Sequence, residues 1–189
     1  KDVAEDAADA GRLELPDGWS VDALDGSCPA AAGEARVVYS SEADWSRARS
    51  TPWKDTGVEE DGVVQIPVKG LSPSTTVRYR VETRASGGEP GATLEGSFTT
   101  APAKDAEESV TFTVVTGMMY RDLDDPSGFH IYPAMGGLEP DFLVLTGDTV
   151  YYDNEWPRAR GTELARYHWH RMYSLPRLVA FHQRVPPYW

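Results

Sequence analysis

The chain has 189 residues and a formal net charge of −12. Because nucleic-acid backbones favour a basic surface, this acidity argues against DNA or RNA binding. The single cysteine, Cys28, excludes an internal disulfide and a cysteine-rich metal site, and no apolar run approaches the roughly 20 residues that span a bilayer. Residues 1–110 carry a net charge of −10 and residues 111–189 carry −2, which indicates two regions of different kind.

The first region is predicted to be all-β. Residues 1–11 are acidic and rich in alanine, a composition that predicts a disordered lead-in. From residue 12 to residue 101, short alternating segments separated by turn residues are typical of a β-sandwich. We predict strands at 35–40, 62–68, 75–82 and 92–99, and the clearest is 75–82, where Val77, Tyr79 and Val81 share one face.

One turn in this region carries a more specific signal. The segment Lys-Gly-Leu-Ser-Pro-Ser-Thr at 69–75, followed by Tyr79, resembles the corner of a fibronectin type III domain. The resemblance covers residues 12–101 and implies that the Tyr79 hydroxyl ties this turn to the following strand. Trp45 and Trp53 either bind carbohydrate at the surface or pack against the sandwich ends or the next domain, and we favour packing.

The second region is predicted to be the start of an α/β domain. Residues 102–109 are small and charged without periodicity, which predicts a linker. A β-branched strand at 110–116, a short helix within 128–135 and the apolar strand Phe142–Leu145 make a βαβ unit, whose closure sets both strand ends at one crevice. Because Phe142–Leu145 is apolar throughout, we expect a central parallel strand buried on both faces.

The candidate site follows this strand. Asp148 stands after Gly147 at the carboxyl end of the strand, where open α/β sheets bind ligands, and Tyr151 comes three residues later. A carboxylate and a phenol facing one crevice suit a hard, oxygen-preferring metal ion. An ordinary strand-to-loop turn is the alternative, and the buried strand and the aromatic, polar residues that follow favour the metal site.

Two helices are predicted beyond this loop, at 163–173 after a Thr162 cap and at 175–184 after a Ser174 cap. His168 and His170 lie about 200° apart around the first of these helices, so they cannot bind one ion, and we expect them to pack and to form hydrogen bonds. Four arginines lie near the crevice. One of them could contact a substrate anion, but a solvated helix face explains most of them: Arg158, Arg160, Arg166 and Arg171.

Together, the first strand, the short helix, the segment Pro140–Tyr151 and the helix that leads to Val185-Pro186 resemble the start of the alkaline phosphatase D family of metallophosphoesterases. The resemblance implies a catalytic Asp148 that bridges two metal ions and a Tyr151 that binds Fe³⁺, with Ca²⁺ as the expected divalent metal. It implies hydrolysis of phosphate esters by a metal-bound hydroxide, without a protein nucleophile.

The sequence departs from the family at Gly117 and Met118, where the family often places a cysteine ligand. The family's next Asp/His motif would begin after Trp189, so we expect an N-terminal portion, inactive by itself and aggregation-prone. We further expect a monomeric, secreted or periplasmic protein that acts on a phosphate ester. The alternative is a non-enzymatic sandwich that binds carbohydrate or a partner, attached to a remodelled, metal-poor scaffold.

Overall fold

Two separate β-sheets organise the chain, and a group of helices covers one face of the second sheet. The structure, a computed structural model, describes residues 14–189, so the lead-in predicted at 1–11 lies outside the described residues. A short 3-10 turn at Val21–Ala23 precedes the first sheet. In the part of the chain that the structure describes, no helix is both long enough and apolar enough to cross a membrane.

The first sheet is antiparallel. Its strands are β1 (Gly33–Ser40), β2 (Arg49–Ser50), β3 (Lys54–Thr56), β4 (Thr76–Arg84) and β5 (Thr93–Thr99), and they run in the order β2-β1-β4-β5 with β3 also paired to β1. The long ladder between β1 and β4 sets Val37 opposite Val81 and Tyr39 opposite Tyr79. The strands predicted at 35–40, 75–82 and 92–99 are therefore confirmed.

The predicted sandwich is not confirmed, because residues 14–101 form this one sheet only. Residues 62–68, predicted as a strand, join no ladder. A side chain of a neighbouring strand contacts this segment instead, since Lys54 Nζ donates to Gln65 O at 3.0 Å. Pro67 has no N–H to donate, which further disfavours a ladder here.

The second sheet is parallel and has three short strands in the order β6 (Phe112–Val115), β7 (Phe142–Leu145) and β8 (Pro187–Tyr188). A 3-10 turn at Tyr120–Asp122 and helix α1 (Ile131–Gly136) connect β6 to β7. The register pairs Phe112 with Phe142 and Val115 with Leu145. The predicted βαβ unit is confirmed.

Helices α2 (Thr162–Tyr173) and α3 (Pro176–His182) follow, close to their predicted positions but without the predicted caps. Gly161 and Leu175 precede the two helices, and neither makes a side-chain capping bond. Ser174 has the helical dihedral angles φ −88° and ψ −5° and closes α2. A residue in that conformation cannot also be the extended N-cap of the next helix.

The core lies between the second sheet and the helices. Leu143 is fully buried there, packed in a cluster that includes Tyr132 of α1, Met172 of α2 and Leu178 of α3. On the opposite face of the sheet, Phe112 is 54% exposed and Val114 is 53% exposed. The prediction that Phe142–Leu145 is buried on both faces is therefore wrong for the described chain, because its residues are alternately half-buried and buried.

The two sheets are joined through α3. The backbone N–H of Ser97 in β5 donates to Gln183 O at 2.9 Å, and the Tyr79 hydroxyl donates to the same oxygen at 3.1 Å. The predicted role of Tyr79 in the 69–75 turn is wrong, because its hydroxyl binds the second region. Residues 102–109 form no helix or strand.

Candidate metal site

Strands β6 and β7 end side by side, as the predicted βαβ unit requires. The first exit loop (residues 116–122) follows β6, and the second exit loop (residues 146–161) follows β7. Thr116 Oγ1 donates to Gly147 O at 3.1 Å, and the Met118 N–H donates to Asp148 O at 2.8 Å. These bonds join the two loops directly at the carboxyl edge of the sheet.

Asp148 turns sharply at this edge. Its φ of +52° is left-handed, and that of Gly147 is +111°. Aspartate tolerates the left-handed region better than most side chains, although such a residue still costs about 1 kcal/mol or more and needs support from its surroundings. The bond from Met118 supplies that support at the Asp148 carbonyl.

The two predicted site residues come together. The Tyr151 hydroxyl donates to Asp148 Oδ2 at 3.0 Å, and the Asp148 side chain lies at an exposed position. This hydrogen bond, with partial desolvation and the nearby carboxylates, raises the pKa of Tyr151 above its ordinary value. The phenol therefore keeps its proton and donates a hydrogen bond to the carboxylate.

The donor chemistry of this pair fits part of a site for a hard cation. A carboxylate and a phenol offer oxygen ligands, which Fe³⁺ and Ca²⁺ prefer. Residues 14–189 contain no group of three or more His, Cys, Asp or Glu side chains that could hold a metal ion. Within the described chain, Asp148 and Tyr151 thus offer two oxygen donors, which are fewer than a metal site requires.

Met118 and Gly117 determine which metal-binding groups the first exit loop can offer. Its side chain is buried in the core, where the sulfur accepts a hydrogen bond from the Tyr132 hydroxyl at 2.7 Å. Gly117 has a left-handed φ of +69° and no side chain. At the two positions where the sequence departs from the family pattern, the loop therefore offers backbone and no side-chain ligand.

The histidines have the packing roles predicted for them. His168 is 1% exposed, its Nε2 donates to Pro157 O at 2.7 Å, and its Nδ1 accepts from Arg171 at 2.8 Å. Burial, together with the positive charge of Arg171, lowers the pKa of His168 to about 4, so the ring is neutral. His170 Nε2 bonds to Asp61 at 2.8 Å and joins α2 to the first region.

The arginines are partnered more closely than predicted. Arg160 pairs with Glu14 at 2.6 Å, and Arg166 donates to Val58 O at 3.3 Å. Arg171 is 6% exposed, so the solvated helix face proposed for most of the four arginines does not explain it.

Arg171 belongs to a buried network that sequence reasoning missed. Its Nη2 bonds to a carboxylate oxygen of Glu155, which is 4% exposed. Two signals in the sequence point to such a pair: Glu155 stands directly before Trp156, and Arg171 lies beside Met172 on the helix stripe that packs into the core. The pairing itself joins a loop to a helix 16 positions later, which local patterns do not show.

The two tryptophans weighed for carbohydrate binding lie against arginines. The Trp53 ring has the guanidinium of Arg36 at 4.5 Å and that of Arg84 at 4.1 Å. Trp45 faces Arg80 at 5.6 Å. These contacts favour a packing role, with arginine side chains as the packing partners.

The comparisons with known proteins support the fold. No family model and no curated protein matches the chain. A solved structure of PhoD matches with a TM-score of 0.68 and 19% sequence identity, over 88% of this chain and 33% of that one. The chain therefore has the fold of part of PhoD, and it spans about a third of PhoD's length.

Proposed function

We propose that the chain is part of a metal-dependent phosphoesterase of the alkaline phosphatase D type, with Asp148 and Tyr151 among its metal ligands. The observation that carries the proposal is the 3.0 Å contact between the Tyr151 hydroxyl and Asp148 at the exit of a central parallel strand. The fold match to PhoD supports it, and so does the sequence resemblance set out above.

The chain's own residues would hold a cation in defined ways. The Asp148 carboxylate supplies the negative charge, and its left-handed turn directs it from the strand end towards Tyr151. The Tyr151 phenol would give up its proton and bind as phenolate, since a strongly charged cation lowers a phenol pKa. Bound metal ions, Fe³⁺ with Ca²⁺, would supply the Lewis-acid chemistry of phosphate-ester hydrolysis.

The wider setting is part of the same proposal. We assign residues 110–189 to the catalytic domain, residues 102–109 to a linker and residues 12–101 to an all-β domain. The substrate is a phosphate ester, and the protein acts as a secreted or periplasmic monomer. Further ligands, in addition to Asp148 and Tyr151, complete the proposed metal site.

Two substitutions in the full-length protein test the ligands. Asp148→Asn should remove most bound metal and nearly all hydrolysis of an aryl phosphate, because a neutral amide binds a hard cation more weakly than a carboxylate does. Tyr151→Phe should lower the iron content and abolish any phenolate-to-iron absorption band. Metal analysis and absorption spectra measure both effects.

Asp153→Asn is the matched control, because Asp153 is an exposed carboxylate of the same loop. It should keep both metal content and activity. Unchanged metal content in Asp148→Asn and Tyr151→Phe would overturn the assignment.

A further inference from the structure

Glu155 lies where three segments of the second region meet. It belongs to the second exit loop, and its Oε1 accepts from the backbone N–H of Arg121 in the first exit loop at 3.4 Å. Its Oε2 bonds to Arg171 of α2. One buried carboxylate thus connects both loops and the helix.

The candidate metal ligands lie between two attachments of the second exit loop. At one end, Thr116 and Met118 bond to Gly147 and Asp148. At the other end, Arg121 bonds to Glu155 and, through its side chain, to Asn154 O at 3.4 Å. The chain between these two attachments brings the Tyr151 hydroxyl to the Asp148 carboxylate.

Helix α2 fixes the second of these attachments. Arg171 Nη1 donates to Trp156 O at 2.8 Å, and its guanidinium lies 4.3 Å from the centre of the Tyr120 ring in the first exit loop. His168 bonds to both Arg171 and Pro157 O. The buried face of α2 therefore holds residues 155–157 by side-chain bonds to backbone oxygens as well as by the ion pair.

A gain in stability does not by itself explain why Glu155 and Arg171 form a buried ion pair. Apolar residues of similar volume often replace a buried ion pair at no net cost, whereas removal of one partner leaves an uncompensated charge. Burial raises the pKa of Glu155 even beside Arg171, so the carboxylate is held in an unfavourable environment. What the pair supplies that an apolar pair cannot is directed bonding to Arg121 N–H and Trp156 O.

We propose that Glu155 and Arg171 are positioning residues, which hold the second exit loop so that Asp148 and Tyr151 face one another. The part of this inference that concerns metal rests on the proposed function. The part that concerns loop geometry does not.

The test separates positioning from stability. In the full-length protein, Glu155→Gln leaves Arg171 unpaired, and the double variant Glu155→Leu with Arg171→Met removes both charges. The measurements are the melting temperature, the hydrogen-exchange rate of the Met118 amide, which donates to Asp148 O, and the metal affinity. A matched control pair is Glu34→Gln with Arg84→Met, since Arg84 and Glu34 form a 2.9 Å ion pair in the antiparallel sheet.

We expect Glu155→Gln to lower the melting temperature and the double variant to recover most of the loss. In the double variant the Met118 amide should still exchange faster than in the parent, and metal affinity should stay about 10-fold to 100-fold weaker, the usual effect of removing a residue that orients a ligand. The control pair should change neither the Met118 exchange nor the metal affinity. Parent-like exchange and parent-like affinity in the double variant would overturn the proposal.

If the double variant does not fold, Arg171→Lys tests whether the ion pair positions the second exit loop or only stabilises the fold. Lysine keeps the charge but cannot bond to Glu155 and Trp156 O with a planar fork. Faster Met118 exchange at a near-parent melting temperature supports positioning, and parent-like exchange refutes it. If exchange changes as expected while the parent protein binds no metal, positioning stands and the proposed function fails.

Discussion

The two sheets of this molecule are held together by different interactions. The antiparallel sheet has long ladders, and partly exposed ion pairs such as that of Arg80 in β4 with Glu95 in β5, at 3.7 Å, also join its strands. The parallel sheet has strands of four residues or fewer and depends on an apolar cluster that lies entirely within residues 118–185. Backbone pairing dominates the first sheet, and side-chain burial dominates the second.

This difference predicts which region is sensitive to which perturbation. Apolar burial contributes roughly 25 cal/mol per Å², so deletions in the second region should be costly. Exposed or half-exposed ion pairs contribute about 1 kcal/mol or less each, so single changes on the first sheet should be mild. Where the regions meet, at Gln183, one contact should matter to both.

The largest effect is expected from a deletion in the apolar cluster. Leu143→Ala should lower the free energy of unfolding by about 2–5 kcal/mol, because Leu143 is fully buried between the sheet and the helices. Leu94→Ala, in the antiparallel sheet at a residue 43% exposed, should cost about 0.5 kcal/mol or less. Urea denaturation of both variants measures the difference, and equal losses would contradict the comparison.

The next largest effect is expected from acid, which should destabilise the second region at a higher pH than the first. The depressed pKa of His168 means that the unfolded chain takes up a proton at a pH where the folded chain does not. Stability therefore falls as the pH drops from about 6.5 to about 4, by up to about 3 kcal/mol from this residue. In the antiparallel sheet, arginines lower the pKa values of Glu34 and Glu82, so their contribution is lost only below the ordinary carboxyl range.

Hydrogen exchange at pH 7 and pH 5 measures this separation region by region. Amides of β6 and β7 should lose protection at pH 5 while those of β1 and β4 keep it. His168→Gln should reduce the loss, because glutamine has no proton to gain. Equal loss in both sheets would show that the buried histidine does not set the acid response.

The comparison also shows which features the sequence could reveal. The β4 strand was predictable because Val77, Tyr79 and Val81 alternate locally, and β7 because four apolar residues precede Thr-Gly-Asp. Asp148 and Tyr151 were predictable as a pair because three positions separate them. These signals all lie within one element and its adjacent turn.

Features that depend on distant partners were not predictable in the same way. Residues 62–68 have the composition of a strand, but a strand also needs a neighbour with free backbone groups, and none pairs with them in residues 14–189. The Tyr79 hydroxyl bonds 104 positions away at Gln183, and Glu155 bonds to Arg171 on a separate helix. The composition of a segment shows that its residues need a pairing or bonding partner, but it does not show which residues of the chain supply that partner.

A smaller effect is expected where the regions touch. A Cβ added at Gly96 would collide with Gln183 O and the Tyr79 hydroxyl. Gly96→Ala should therefore cost about 1–3 kcal/mol, the usual range for overpacking, and should loosen α3 as well as β5. Gly91→Ala is the control, because its Cβ would meet only Thr83 O at an ordinary 3.6 Å. Equal melting temperatures of the two variants would show that Gln183 and Tyr79 can move to accommodate the added Cβ at little cost.

The smallest effect on stability, and the sharpest test of the second sheet, concerns its exposed face. Phe112, Val114 and Tyr188 lie on the face away from the helices, with Phe112 stacked on Phe142 at 5.3 Å. Val114→Thr should change the free energy of unfolding by about 0.5 kcal/mol or less, since Val114 is half exposed and the hydroxyl stays solvated.

Val115→Thr on the same strand is the matched comparison, because Val115 packs against the apolar cluster. The new hydroxyl would be desolvated there, which should lower the free energy of unfolding by about 1–3 kcal/mol. Val114→Thr should also lower self-association in sedimentation or light scattering, because an apolar patch of this kind promotes aggregation. If Val114→Thr instead destabilises as much as Val115→Thr, the face is covered in solution. Both faces of the parallel sheet would then be buried. Side-chain burial would stabilise this sheet from both sides, and it would differ even more from the antiparallel sheet.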